Sequence, residues 1–342
     1  MRIAQVAPLY FSVPPPRYGG TERIVSYLTE ELVALGHEVT LFASGDSKTA
    51  ATLVSPCPQA LSQDRNSRDP LSYHLRLLEL VFEDVSRFDV IHFHLESVHT
   101  SWVRRQPCPN VTTLHGPLYA SGSSSLSDEY ADLPLVSISD QQRLPFPEAN
   151  WQSTIYHGIP SNLYTFRKGP GDYLAFLGRA SPEKRLDRAI RIALDARMKL
   201  KVGAKVNPKT EHFRETIAPL LAEGPDMVEF LGEVCDREKD ALLGNARALL
   251  FPIDCPESFG LVMIESLACG TPVIAWRCGS VPEVIDHGRT GFVVESLEEA
   301  AQALSHVSDL SRDTCRQVFE NRFDAARMTR EYVEIYRRLV QP

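Results

Sequence analysis

Short apolar runs alternate along the chain with longer stretches in which hydrophobic side chains recur every three or four residues. The runs have strand length and the longer stretches have helical periodicity, and this alternation is typical of parallel sheets covered by helices. We predict an α/β protein with doubly wound sheets. The predicted strands lie at 3–8, 38–43, 90–93, 111–114, 135–138 and 154–156, and then at 173–177, 200–202, 228–231, 248–251, 273–275 and 292–294.

The clearest helix follows the first strand. We expect Thr21 to cap its start and Gly36 to end it. The polar, proline-containing stretch 56–70 is predicted to be a surface loop. The apolar stripe of the helix consists of Ile24, Val25, Leu28, Leu32 and Leu35.

A chain of 342 residues exceeds the size at which one hydrophobic core stops growing, so we predict two domains. The sequence becomes polar and rich in Gly and Pro after Ser161, and a new strand begins at Tyr173. We therefore assign residues 1–165 to an N-terminal domain and residues 166–322 to a second domain. The remaining segment, 323–342, contains an amphipathic helix at 324–339 whose apolar face can pack on either domain, including back onto the first.

The composition excludes several classes of protein. With 43% hydrophobic and 23% charged residues, it is typical of soluble globular proteins. The beginning of the chain lacks the features of a signal peptide, which predicts a cytoplasmic location without membrane insertion. Seven scattered cysteines without a C-x-x-C pair indicate reduced thiols. A net charge of −8 without a basic block argues against nucleic acid and anionic membranes as partners.

The segment 249–274 carries the strongest chemical signal. It reads as a strand, a loop with Glu257, a helix opening near Gly260, and a second strand. Ligands of open α/β sheets bind at the carboxyl ends of strands, and a helix N-terminus offers free N–H groups to a phosphate. Glu265 lies within the apolar helix, where a carboxylate is costly unless its charge is accepted, for example by ribose hydroxyls. The spacing of the two glutamates alone also occurs by chance.

A second signal follows the strand at 173–177. Arg179 lies at the end of that strand, Ser181 is expected to cap a helix, and Pro182 takes the first helical position. Lys184 then lies in the first turn. Two cations at a helix N-terminus oppose the helix dipole but suit a site that binds an anion. The alternative interpretation is a solvated helix start.

Other residues carry weaker signals. Gly19 and Gly20 allow close approach of a ligand to the backbone, although a tight turn explains them equally well, and they form neither a G-x-G-x-x-G fingerprint nor a P-loop. A metal site is one interpretation of a group of three histidines and a glutamate, and a strand end that faces a cleft between the two domains is the other. The members of this group are His92, His94, Glu96 and His99. Three polar residues after the fifth strand, Asp140, Gln141 and Arg143, are candidates for contacting an acceptor molecule.

Taken together, these motifs resemble retaining glycosyltransferases of family 4, which have the GT-B fold of two facing Rossmann-like domains with an interdomain cleft. The resemblance spans nearly the whole chain. The length and pattern of this chain are also similar to those of transferases of actinomycete oligosaccharide-antibiotic pathways, of which avilamycin assembly is an example. The motifs that carry it are Tyr18-Gly-Gly-Thr-Glu22, Leu35-Gly-His-Glu-Val39, Asp89-Val-Ile-His92, Leu114-His-Gly116, His157-Gly-Ile-Pro160, Gly178-Arg179, Pro182-Glu-Lys184, Glu257 to Glu265, Gly270-Thr-Pro-Val273 and Val281-Pro-Glu-Val284.

The resemblance implies a donor-binding second domain and an acceptor-side first domain. Arg179 and Lys184 would hold the donor diphosphate, Glu265 the ribose, and Glu257 a hydroxyl of the transferred sugar. His115 would face that sugar. Gly19, Gly20, Val234, Phe259, Gly260 and Leu261 would complete the donor site. The chain departs from the family pattern at Cys278-Gly-Ser280, where a Gly-Gly pair is common, and at Arg185, where glycine is common.

The implied reaction is transfer from a nucleotide diphosphate sugar to a hydroxyl of a soluble small-molecule or oligosaccharide acceptor. UDP is the expected nucleotide, although GDP and ADP share the same diphosphate. No carboxylate nucleophile for a covalent intermediate is recognisable by pattern. The family resemblance instead implies front-face attack. We expect no metal or other cofactor, since the sequence has no Asp-x-Asp pair. The alternatives are a sugar-nucleotide epimerase, a phosphorylase and a non-catalytic sugar-nucleotide sensor.

Overall fold

The computed structural model describes residues 1–63, 69–118, 132–169 and 171–341. The described chain divides into two compact units, one of residues 1–160 with 324–342 and the other of residues 161–323. The division falls five residues before the predicted boundary at 165. Residues 64–68 of the predicted loop 56–70 lie outside the described part.

The first unit is built on a seven-stranded parallel sheet with the order β3-β2-β1-β4-β5-β6-β7. Helices α1 (Gly20–Ala34), α2 (Pro70–Phe82) and α3 (Thr100–Val103) follow the strands, with short 3₁₀ turns at Val85–Arg87 and Gln141–Arg143. The strands are β1 (Arg2–Val6), β2 (Glu38–Phe42), β3 (Thr52–Val54), β4 (Val90–Phe93), β5 (Asn110–Thr113), β6 (Leu135–Ser137) and β7 (Trp151–Thr154).

The second unit repeats the same connectivity in a six-stranded parallel sheet with the order β10-β9-β8-β11-β12-β13. Short turns lie at Pro182–Lys184, Phe213–Ile217 and Val307–Asp309. Its strands are β8 (Tyr173–Leu177), β9 (Leu200–Gly203), β10 (Val228–Phe230), β11 (Ala246–Phe251), β12 (Val273–Trp276) and β13 (Gly291–Val294). Its helices are α4 (Leu186–Asp195), α5 (Ala218–Glu223), α6 (Asp236–Gly244), α7 (Leu261–Ala268), α8 (Val281–Val284), α9 (Leu297–His306) and α10 (Arg312–Arg322).

The last helix, α11 (Ala325–Val340), belongs to the first unit. Its N-cap is Asp324, whose carboxylate accepts from the N–H of Ala326 at 2.8 Å. Tyr332 and Tyr336 are fully buried, and the Tyr332 hydroxyl is 2.9 Å from that of Thr113 on β5. The apolar face of this helix is therefore part of the core of the first unit.

The doubly wound fold class is confirmed, and every predicted strand is present within about three residues. Two expectations about α1 are wrong. Thr21 does not cap it, because the helix begins at Gly20, with Gly19 as N-cap and no side-chain capping bond. Leu35 is 53% exposed, because it lies beyond the last turn, which Gly36 closes with a positive φ of 83°.

Two features of the edge strands were not expected. The short edge strand β3 was missed, and β7 begins three residues before the predicted position. Both strands consist mostly of half-buried residues, so no apolar run marks them in the sequence. Among the described helices, none has the length and apolar character needed to cross a bilayer.

Candidate functional site

The order of the strands in the second unit reverses between β8 and β11, which pair side by side. At such a switch point, the loops leaving the two strands diverge and open a crevice at their carboxyl ends. Arg179 and Lys184 lie in the loop after β8, and Glu257 lies in the loop after β11. The connectivity therefore brings together the residues that two separate sequence motifs singled out.

Lys184 and Glu257 form an ion pair across this point, from Nζ to Oε2. The two side chains retain 17% and 21% of their exposure, so the pair is half-buried and still accessible. Nζ also lies 5.8 Å from the centre of the Phe251 ring, at the end of β11. The predicted cation is thus present, but in this structure a carboxylate neutralises it.

Arg179 is the more exposed of the two predicted cations, with 59% of its side chain accessible. Its guanidinium is 3.1 Å from Oε1 of Glu183, and the Ser181 hydroxyl donates to the same oxygen at 2.6 Å. Ser181 occupies the N-cap position of the turn Pro182–Lys184, as predicted, but its side chain makes no capping hydrogen bond. Pro182 occupies the first position of the turn Pro182–Lys184, as predicted.

Arg185 adopts a left-handed backbone conformation, with φ of 53° and ψ of 49°. This conformation costs a non-glycine residue about 1–2 kcal/mol. Two ion pairs hold the side chain in place, one to Asp187 and one to Asp254, each at 2.8 Å. The departure from the family's glycine therefore leaves the loop in the conformation that glycine favours.

Helix α7 begins at Leu261, after Gly260, whose φ is 80°. A Cβ at Gly260 would lie 2.8 Å from Met263 Cε and 3.2 Å from the Phe251 ring, and the positive φ would strain any residue other than glycine. Phe259 is buried beside it, and its carbonyl accepts from the Ser280 hydroxyl at 2.9 Å. The N–H of Met263 bonds to the Gly260 carbonyl at 3.0 Å, whereas those of Leu261 and Val262 have no carbonyl within the helix to bond, which makes this turn suitable for an anion.

Glu265 is buried in α7, and the protein itself supplies partners for its charge. Lys239 Nζ donates to Oε1 at 2.8 Å, and the Tyr164 hydroxyl donates to the same oxygen at 3.1 Å. Neither partner was predicted, because no local pattern marks them and they lie 26 and 101 residues from Glu265 along the chain. The buried carboxylate is thus satisfied on one oxygen without a ligand.

Val234 lies two residues before α6 and is buried against β9, where a Cβ at Gly203 would come within 3.2 Å of its Cγ2. In the first unit, Gly19 has a φ of 136°, and a Cβ there would collide with Pro15 at 2.9 Å. Gly20 starts α1 and is exposed. Glu22, in the same turn, is buried, and this burial raises its pKa to about 7.

His115 follows β5 and forms a hydrogen bond with His94, which follows β4. Its Nε2 is 3.0 Å from His94 Nδ1, and the ring of His157 stacks on it with centroids 5.2 Å apart. His94 Nε2 is in turn 2.8 Å from Gln5 Oε1. Burial lowers the pKa of His115 to about 3, so the imidazole is neutral at pH 7.

The remaining candidates are held by hydrogen bonds within the first unit. Both ring nitrogens of His92 are bonded to hydroxyls, Nδ1 to Tyr336 at 2.7 Å and Nε2 to Thr113 at 2.8 Å. His99 Nε2 bonds to the Thr112 hydroxyl at 2.7 Å. Over the described ranges, no three His, Cys, Asp or Glu side chains are grouped to hold a metal ion.

The polar residues after β6 are also held in place. Asp140 accepts from the Thr154 hydroxyl, and Arg143 donates to the Ser137 hydroxyl at 2.7 Å. The Arg143 guanidinium also lies 5.4 Å from the centre of the Trp151 ring. Together with Gln141 they form the turn between β6 and β7.

Comparisons with known proteins identify the family to which each unit is similar. Residues 165–322 match the family model described as glycosyl transferases group 1, and residues 18–140 match that of glycosyltransferase family 4. A phosphatidyl-myo-inositol mannosyltransferase of Mycobacterium leprae is 26% identical over 341 residues, which cover 93% of this chain and 89% of that protein.

Solved structures share the fold. One is a glycosyltransferase involved in avilamycin A biosynthesis, with a TM-score of 0.76 and 23% identity over 99% of this chain and 98% of that one. Another is an Anabaena protein in complex with UDP-glucose, with a TM-score of 0.72 and 17% identity over 98% and 99% of the two chains. With two Rossmann-like units of the GT-B type, the first matching family 4 and the second matching group 1, this chain belongs to the glycosyltransferases.

Proposed function

We propose that this chain transfers a glycosyl group, with retention of configuration, from a nucleotide diphosphate sugar to a hydroxyl of an acceptor. The observation that carries the proposal is the Lys184–Glu257 ion pair at the switch point between β8 and β11, beside the N-terminus of α7. A cation, a carboxylate and free backbone N–H groups suit a sugar diphosphate. UDP is the proposed nucleotide, and the Anabaena structure of the same fold holds UDP-glucose.

Arg179 and Lys184 are assigned to the diphosphate. The Arg179–Glu183 pair is exposed, and such ion pairs contribute only about 0–1 kcal/mol, whereas the Lys184–Glu257 pair is half-buried. A diphosphate carries more charge than a carboxylate, so it can compete with either partner. Release of Lys184 leaves the Glu257 carboxylate available to accept from a hydroxyl of the transferred sugar.

Glu265 is assigned to the ribose. Both of its protein partners donate to Oε1, and no described residue donates to Oε2. One oxygen is therefore fixed while the other can accept from ribose hydroxyls. By family resemblance, Val234, Phe259 and Leu261 line the donor around this carboxylate.

Retention is proposed through front-face attack, in which the acceptor hydroxyl enters on the side from which the diphosphate departs. The leaving phosphate takes the proton, and Arg179, Lys184 and the N-terminus of α7 stabilise its charge. The family resemblance assigns Gly19 and Gly20 to the phosphates and His115 to the transferred sugar. We also propose that the reaction needs no metal or other cofactor, and that it takes place in the cytoplasm on a soluble acceptor.

The first test separates donor binding from transfer. Thermal unfolding should be measured with UDP, GDP and ADP, because a ligand at a hundred times its Kd adds about 2.7 kcal/mol of stability. We expect UDP to stabilise most. Failure of all three nucleotides to raise the Tm would contradict the donor assignment.

The second test uses two variants and a hydrolysis assay with UDP-glucose. Glu265→Ala should weaken UDP binding, whereas Glu257→Ala should retain UDP affinity and slow release of glucose. NMR of the first glucose released should show the α-anomer, the configuration of the donor. Initial release of the β-anomer would exclude retention, and an unchanged UDP affinity in folded Glu265→Ala would exclude the ribose role.

A further inference from the structure

A chain of hydrogen bonds leads from the interior of the first unit to His115. The Gln5 amide nitrogen on β1 donates to the Tyr336 hydroxyl at 3.0 Å, and its carbonyl oxygen lies 2.8 Å from His94 Nε2. His94 Nδ1 lies 3.0 Å from His115 Nε2. The other ring nitrogen of His115, Nδ1, is shielded from solvent and has no hydrogen-bond partner among the described residues.

This series of hydrogen bonds fixes which ring nitrogen of each histidine carries the proton. Burial lowers the pKa of His94 and of His115, so each neutral ring carries one N–H. A carbonyl oxygen only accepts, so His94 Nε2 must donate to Gln5. His94 Nδ1 is then an acceptor and His115 Nε2 must donate to it. Nδ1 of His115 is therefore left with a bare lone pair.

The cost of the unpartnered nitrogen favours the same arrangement. If the Gln5 amide were reversed, each step would reverse and His115 Nδ1 would carry a proton. A buried N–H without an acceptor is among the rarest groups in folded proteins, whereas an unused acceptor is tolerated more often. The direction of the chain thus agrees with the absence of a partner at Nδ1.

We propose that Gln5, acting through His94, holds His115 in the tautomer whose unprotonated Nδ1 accepts a hydrogen bond from a hydroxyl of the transferred sugar. Gln5 and His94 are positioning residues, since neither is assigned to the substrate. The sugar contact rests on the proposed function, whereas the tautomer does not. The bare Nδ1 favours a nucleotide sugar whose group beside His115 can donate a hydrogen bond. It disfavours a sugar whose group there can only accept one.

The tautomer can be measured directly. NMR correlation of ring nitrogens with ring protons in ¹⁵N-histidine-labelled protein distinguishes protonated from bare nitrogens, and His115→Gln assigns the signals. In the wild type we expect His115 to be protonated at Nε2 only. In Gln5→Met each of the two arrangements leaves one buried N–H without an acceptor, at His94 Nε2 or at His115 Nδ1. The preference is therefore lost, and we expect a fraction of His115 to become protonated at Nδ1.

Thr113→Val is the matched control, because it removes buried hydrogen bonds to His92 and Tyr332 without touching His94. We expect it to leave the His115 tautomer unchanged. A wild-type His115 protonated at Nδ1 would overturn the proposal, and so would an unchanged tautomer in folded Gln5→Met. The wild-type measurement decides the question even if Gln5→Met does not fold.

Binding measurements test the sugar contact. The probes are UDP-glucose and UDP-deoxyfluoroglucoses in which fluorine, which only accepts, replaces one hydroxyl at a time. At one position we expect a loss of about tenfold in affinity in the wild type and a smaller loss in Gln5→Met. Equal affinity for all analogues in the wild type would overturn the contact. Failure to bind UDP-glucose at all would contradict the proposed donor and leave the tautomer result standing.

Discussion

The ammonium group of Lys239 lies 2.8 Å from Oε1 of Glu265, and the two side chains keep only 12% and 4% of their exposure. Removing one member of a buried ion pair leaves the other charge uncompensated. Lys239→Met should therefore lower the free energy of unfolding by about 3 kcal/mol. It should also weaken UDP binding at least tenfold, because Glu265 loses its orientation.

A double variant separates the two effects. Adding Glu265→Leu to Lys239→Met removes the orphaned charge and the acceptor oxygens, so it should restore most of the stability without restoring UDP affinity. Lys201→Met, which removes an ion pair on β9, is the control for loss of a lysine in the same unit. Recovery of both stability and affinity in the double variant would mean that Glu265 has no role in binding the donor.

The left-handed conformation of Arg185 predicts an unusual order of stability among its variants. Glycine adopts a φ of 53° freely, whereas alanine is strained there. Both substitutions remove the same ion pairs, so their difference isolates the backbone. We expect Arg185→Gly to be more stable than Arg185→Ala by about 1 kcal/mol. Urea denaturation of the two variants measures this, and an Ala variant of equal or greater stability would contradict the conformation.

Glu22 predicts a pH dependence of stability. Burial raises its pKa from 4.5 to about 7, although N–H groups of Glu22 itself and Phe11 lower it in part. The folded state therefore binds the proton of the Glu22 carboxyl more tightly than the unfolded state does. The contribution of this proton to stability is complete below pH 4.5 and is lost as the pH rises through about 7. Above that pH, burial of the ionised group costs up to about 3 kcal/mol.

Glu22→Gln should therefore be more stable than the wild type at pH 8 and should lose that advantage near pH 5. Thermal unfolding of both proteins across this range measures the effect. Exposed Glu38→Gln controls for the change in net charge. Parallel pH profiles for wild type and Glu22→Gln would show that Glu22 does not titrate in this range.

Local patterns predicted the frame of the site but not its partners. The carboxyl ends of β8 and β11 and the glycine at the start of α7 were predictable, because strands, helix ends and glycines leave signals within a few residues. Lys239 and Tyr164 were not predictable, since their contacts with Glu265 depend on how α6, α7 and the segment before β8 pack together. Gln5 appears only as a polar residue in an apolar strand, and its role depends on contacts with His94 and Tyr336.

The acidic balance of the N-terminal part predicts a soluble acceptor. Residues 1–165 carry 11 Lys and Arg against 17 Asp and Glu, and an anionic membrane surface repels such a field. The similar Mycobacterium leprae protein is named a phosphatidyl-myo-inositol mannosyltransferase, so a lipid acceptor is the alternative to test. We expect no sedimentation with vesicles of phosphatidylserine and phosphatidylcholine at physiological salt. Strong sedimentation would favour a lipid acceptor.

The cations of the second unit predict transfer without a divalent metal. A departing nucleoside diphosphate carries about two to three negative charges, which enzymes neutralise with Mg²⁺ or with Arg and Lys side chains. Arg179 and Lys184 lie at the switch point, where the N-terminus of α7 can add free N–H groups. The sequence contains no Asp-x-Asp pair that would hold a metal.

The measurement is the initial rate with UDP-glucose in excess EDTA, compared with excess Mg²⁺ or Mn²⁺, and we expect equal rates. Lys184→Ala should lower turnover at least tenfold, which corresponds to about 1.4 kcal/mol of transition-state stabilisation. Added Mg²⁺ should not restore the wild-type rate, because the lysine contributes its charge at a fixed position that a freely bound ion does not reproduce. If chelation abolishes activity and metal restores it, the diphosphate site is misassigned. His92, His94 and Glu96 would then be the first residues to test as ligands, although hydrogen bonds to hydroxyls occupy both ring nitrogens of His92.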